Sequence, residues 1–97
     1  MYYLKKDVSF TQGVTTKRLQ YHAISQIRVD YINNELEVQI ASSVTEDDIA
    51  HYRAEHISAL LLNNVFLSDV DNLIVWALHY LVTYEDGLLH NAEIITA

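Results

Sequence analysis

Apolar residues alternate with polar ones from Val14 to Ala41, and recur with a helical period beyond Ser43. Tyr2–Phe10 reads as a first strand, rich in β-formers and interrupted only by Lys5-Lys6-Asp7, with Gln12-Gly13 as its natural turn. From Val14 on, Leu19, Tyr21 and Ala23 alternate with polar neighbours, and the same parity runs through Ile27, Val29 and Tyr31. That predicts one long bent strand or two strands broken near His22–Gln26. The clearest β signal is QIRVDYI, then Asn33-Asn34, then ELEVQIA. A two-residue loop at the asparagines sets Ile27 opposite Ile40, Val29 opposite Val38 and Tyr31 opposite Leu36 on one face. Arg28 opposite Gln39 and Asp30 opposite Glu37 then fall on the other face, and the like-charged pair implies either water there or a third strand bringing Lys or Arg alongside.

Past Ser42-Ser43 the pattern predicts a first helix over Glu46–Leu62, with Ile49, Tyr52, His56, Ala59 and Leu60 along one stripe. Thr45 with Asp48, or Ser43 with Glu46, supplies its capping box. Asn63-Asn64 breaks it, and Val65-Phe66-Leu67 leads into a second helix over Ser68–Tyr84, capped by Ser68. Leu73, Ile74, Ala77, Leu78, Leu81 and Tyr84 form its buried stripe, and Gly87 its stop. The Ile94-Ile95 pair in the tail either adds an edge strand or packs down. The expected fold is α+β: an antiparallel sheet of about three strands in the N-terminal half, packed against two C-terminal helices, in one domain over residues 1–97.

The far side of the second helix is not properly polar. Val75, Trp76 and Val82 lie there with His79 and Thr83, where a solvent-facing helix carries charge. These five residues are the expected protein interface, with His79 supplying a hydrogen bond. A second copy of the chain is the expected occupant, as a dimer or a trimer.

Composition narrows the function classes. Hydrophobic residues at 51% and charged residues at 20% argue for a packed core and against disorder. The net charge of −7 is uneven: residues 1–34 carry five Lys/Arg against two acids, and residues 35–97 carry Arg53 against eleven. An acidic chain without clustered cations argues against nucleic-acid binding. The N-terminus lacks the pattern of a signal peptide, and the apolar run Leu73–Val82 is too short to cross a bilayer, so no membrane partner is expected. The expected location is the cytoplasm of a host cell or a virion.

No catalytic constellation stands out. The five histidines include no His-Glu-x-x-His pair and there is no cysteine, so neither a metal nor another cofactor is expected. His51 and Glu55 would share a helix face, with His56 on another side. Glu46-Asp47-Asp48 lacks the alternate spacing and central glycine of a calcium loop and reads as the acidic first turn of a helix. No glycine-rich loop is present to cradle a phosphate.

Several segments together resemble small proteins encoded among the tail and tail-fibre genes of tailed phages and prophages. They are Gly13-Val14-Thr15-Thr16, Tyr21-His22-Ala23-Ile24, the hairpin IRVDYINNELEVQIASSV, Trp76–Thr83 and Ala92-Glu93-Ile94-Ile95. The chain differs from that pattern in carrying Asn91 where a glycine more usually precedes Ala-Glu. The resemblance implies a non-catalytic, tail-associated or virion-associated part that meets other virion proteins. The expected function is therefore a non-enzymatic structural or protein-interaction module. The competing expectation is a regulatory or anti-defence protein whose acidic surface imitates DNA.

Overall fold

The computed structural model describes residues 2–51, 53–63 and 72–96. In chain order the elements are β1 (Tyr2–Gln12), β2 (Thr15–Asp30), β3 (Glu35–Ser43), α1 (Glu46–Ala50), β4 (His56–Asn63), α2 (Leu73–Thr83) and β5 (Glu93–Thr96). The strands form a single antiparallel sheet in the order β4-β3-β2-β1-β5. The fold is thus α+β, with two more strands than the hydrophobic pattern suggests.

Gly13 takes a positive φ of 61° in the tight turn from β1 to β2. β2 is one continuous strand, and its expected break near His22–Gln26 is a register irregularity between Ile24 and Gln26. The extra residue there is Ser25, whose hydroxyl donates to the Gln39 carbonyl and to Gln39 Oε1. A bulge changes the parity of the strand, so Ile24 and Ile27 both pack against the same core.

The β2–β3 hairpin forms two residues out of the expected register. Val29 pairs with Leu36 and Ile27 with Val38, around a four-residue turn at Tyr31–Asn34. Asp30 sets that turn: its carboxylate accepts from the backbone N–H groups of Ile32 and Asn33 and from Asn33 Nδ2. Those hydrogen bonds, led by the Asn33 side chain, hold the Asp30 carboxyl below its ordinary range. Asn34 closes the turn at φ 53°. Tyr31 is consequently exposed in the loop rather than paired with Leu36. The new register also sets Arg28 against Glu37, at 3.5 Å, in place of Gln39.

The expected helix over Glu46–Leu62 is corrected. α1 stops at Ala50, and His56–Asn63 runs as an edge strand on β3. The Thr45 cap holds, its hydroxyl accepting from the Asp48 N–H at 3.1 Å. Arg53 then bridges the Asp47 and Asp48 carboxylates at 2.9 and 3.1 Å. Five residues of helix are enough to turn the chain, and the free edge of β3 offers the following residues a full ladder of hydrogen bonds.

α2 begins at Leu73, with Asn72 as its cap; the expected start at Ser68 lies outside the described residues. Ala77, Leu78 and Leu81 are buried against Leu4, Val8, Leu36, Val38, Ile40 and Leu62 of the sheet. Ile74 and Tyr84 share that arc but sit in the first turn and at the C-cap, and both are exposed. β5 then returns as an edge strand on β1, pairing Leu4 with Ile94 and Tyr3 with Ile95. A smaller cluster of Tyr3, Ala23 and Ile49 lies on the opposite face, since side chains alternate along each strand. There the Tyr3 phenol is pushed up to about 12, chiefly by its hydrogen bond to the Glu46 carboxylate and then by burial.

Candidate functional site

Two features of this architecture offer a surface to another molecule: the outer row of β4, and a cleft between the sheet and the end of α2. In β4 the inward residues His56, Ser58, Leu60 and Leu62 alternate with an outward row of Ile57, Ala59 and Leu61. Ile57 is 58% exposed and Leu61 53%. The strand pairs with β3 along one side and stands at the end of the sheet order. Its sequence, HISALLLN, has no charged residue and no proline, the usual means by which an edge strand discourages pairing.

The cleft has a volume of about 370 Å³. Its floor crosses the sheet at Phe10, His22, Ile40, Ser42 and Ser58, and its other wall is Leu81, Tyr84, Asp86 and Leu89. His56 stacks on the Phe10 ring, with centroids 4.2 Å apart. His22 and Ser42 are both fully buried. The β1–β2 register breaks between Lys5 and Val8, and the Lys6 carbonyl there accepts from His22 Nε2–H at 2.8 Å. That fixes the tautomer, so His22 Nδ1 accepts from the Ser42 hydroxyl at 2.7 Å. Burial pushes the imidazole below its ordinary pKa, and the Lys6 ammonium adds to the effect against the opposing pull of the Lys6 carbonyl. A neutral imidazole beside a serine has the polarity of a general base and its nucleophile. Here both ring nitrogens are satisfied internally, which is the arrangement of a buried polar brace.

The five residues expected to form an interface on α2 are not presented as one apolar strip. Trp76 and Val82 are half-buried and pack against the main core, and Val75 is half-buried. His79 and Thr83 are exposed, and the Thr83 hydroxyl is turned back onto the His79 and Tyr80 carbonyls. Trp76, Tyr80 and Tyr84 stack in succession along the helix flank, each pair of centroids 5.6 Å apart. The helical pattern of residues 46–62 hides the outward row of β4 in the sequence; its lack of charge is the signal that marks it. His22 and Ser42 carried none beyond their parity in the strand pattern.

The acidic first turn of α1 serves its own fold, through the dipole of the helix and the Arg53 bridge. Among the described residues no three His, Asp or Glu side chains converge as a metal site would require, and no helix is long and apolar enough to cross a membrane. No family model, curated protein or solved structure matches the chain.

Proposed function

We propose that the chain is a non-enzymatic protein-interaction module that associates with a second copy of itself through β4. The observation carrying this reading is the uncharged edge strand with Ile57 and Leu61 exposed on its outer row. Antiparallel pairing of β4 with its own copy about a two-fold axis at Ala59 sets Ile57 of each copy opposite Leu61 of the other. The match is self-complementary, as a closed dimer needs, and it continues one sheet through both copies. A neutral strand is also the part of a molecule with net charge −7 that two copies can bring together with least repulsion. The resemblance to phage tail proteins supplies the setting, an assembly component that meets other virion proteins.

Gel filtration with light scattering tests the reading directly. The protein is expected at twice its 11.2 kDa chain mass at micromolar concentration. Leu61→Lys is expected to shift it to monomer while circular dichroism stays unchanged, because the side chain already faces solvent. A monomer that persists to millimolar concentration overturns the proposal. A dimer untouched by Leu61→Lys but broken by Val75→Glu or His79→Glu moves the interface to α2.

A further inference from the structure

The cleft at the end of α2 has a chemistry that self-association through β4 does not use. Its volume leaves room for water, yet its walls are largely carbon. Space of that size and lining suits an apolar molecule better than loosely held water. Among the described residues Asp86 is the charged side chain that lines the cleft, and the Lys6 ammonium near His22 is committed to the His90 carbonyl. Leu81 and Tyr84 bring the C-terminal end of α2 into its wall, the negative end of the helix dipole, and the last turn carries no basic residue to offset it. The Ser42 and Ser58 hydroxyls in the lining can accept; the Ser42 proton is already committed to His22. Two aromatic rings, Phe10 and Tyr84, line the cleft as well, and a ring face attracts a cation. The net charge of −7 draws the same sign of ligand toward the surface.

We propose that this cleft binds a small hydrophobic amine, with the apolar body seated on Phe10, Ile40, Leu60 and Leu81 and the ammonium held by Asp86 at the C-terminal end of α2. A carboxylate of the same shape meets repulsion at both places, so the site selects by charge as well as by fit. Neutral compounds fall between the two.

A matched set of 4-phenylbutylamine, 4-phenylbutanol and 4-phenylbutyrate separates fit from charge. Each is titrated into the isotope-labelled protein at low salt while backbone amide shifts are followed. The amine is expected to move the amides of Leu60, Leu81 and Leu89 and to bind roughly tenfold tighter than the carboxylate, since attraction at a surface charge and a helix end becomes repulsion. Asp86→Asn is expected to weaken the amine about two- to fivefold and leave the alcohol unchanged. Ser58→Phe fills the cleft and is expected to abolish binding of all three. If that variant loses its native spectrum, the comparison of Asp86→Asn with the unaltered protein still decides. Equal affinity for amine and carboxylate, or shifts confined to residues away from the cleft, overturns the proposal.

Discussion

His22 is held between the Lys6 carbonyl and the Ser42 hydroxyl with no access to water, so the fold commits it to the neutral form. Its folded pKa lies below the ordinary value of 6.5, which the unfolded chain recovers. The unfolded state therefore takes up the proton first as pH falls. The stability from keeping His22 neutral is complete above about 6.5 and is lost as pH drops from there toward the folded pKa. In urea melts the protein is expected to weaken from pH 7.5 to pH 5, at up to about 1.4 kcal/mol per pH unit from this one group. His22→Gln is expected to be less stable at pH 7.5 but flatter across that window; an equally steep variant would assign the loss to other groups. Asn91 makes a different residue-level case. It holds φ 65°, in the left-handed region, where the resemblance expects a glycine. Asn91→Gly is thus expected to stay within about 0.5 kcal/mol, and Asn91→Val to cost about 1–2 kcal/mol.

At the scale of elements, the hydrophobic pattern reports which face a residue takes more faithfully than which partner it meets. Shifting the β2–β3 hairpin by two residues preserves every face, so the pattern could not separate the expected register from the one set by the Asp30 turn. Val38 is buried in either register, and Gln39 points the other way. Val38→Asp is therefore expected to cost about 3 kcal/mol or more in a denaturant melt, and Gln39→Asp about 1 kcal/mol or less. Similar midpoints for the two would refute that assignment of faces. The strand character of β4 is hidden for the opposite reason. Ile57, Ala59 and Leu61 are apolar on the outward parity and Leu60 and Leu62 on the inward one, which erases the period-two signal. Ala and Leu are strong helix formers, so propensity pointed the wrong way too. The vacant edge of β3 overrode both, as tertiary context does for short segments. The core arc of α2 was legible because Ala77, Leu78 and Leu81 repeat at helical spacing. The cleft was not, since its walls come from four strands, α2 and the turn after it, which only the finished fold assembles.

Across the whole molecule, the chain runs as a meander from β1 to β4, and α2 then returns it to the side where it began. β5 closes the circuit by pairing with β1. Lys6 Nζ reinforces the join by donating to the His90 carbonyl at 2.7 Å, across 84 positions of sequence. The uneven charge is partly settled inside the chain as well, with Lys17 against Glu55 at 3.7 Å and Arg28 against Glu37. These exposed pairs contribute about 0–1 kcal/mol each and do not by themselves hold the two halves together. The hydrophobic join at β5 is the stronger link. Ile94 packs on the main core and Ile95 on the smaller cluster, so this one strand serves both faces of the sheet. Each is half-buried, and losing both is expected to remove about 2–4 kcal/mol from a net stability of about 5–15 kcal/mol. A chain ending at Asn91 tests this, because it leaves β1 as a bare edge and uncovers Tyr3 and Leu4. Its urea midpoint is expected to fall sharply and its tendency to aggregate to rise. Ile94→Ser and Ile95→Ser are each expected to give a smaller share of that loss, whereas Thr96→Ala, exposed at the strand's end, is expected to leave the midpoint nearly unchanged. An unchanged midpoint in the truncated chain would mean that α2 covers the sheet without help from β5, and that the final strand is an appendage rather than the closure of the fold.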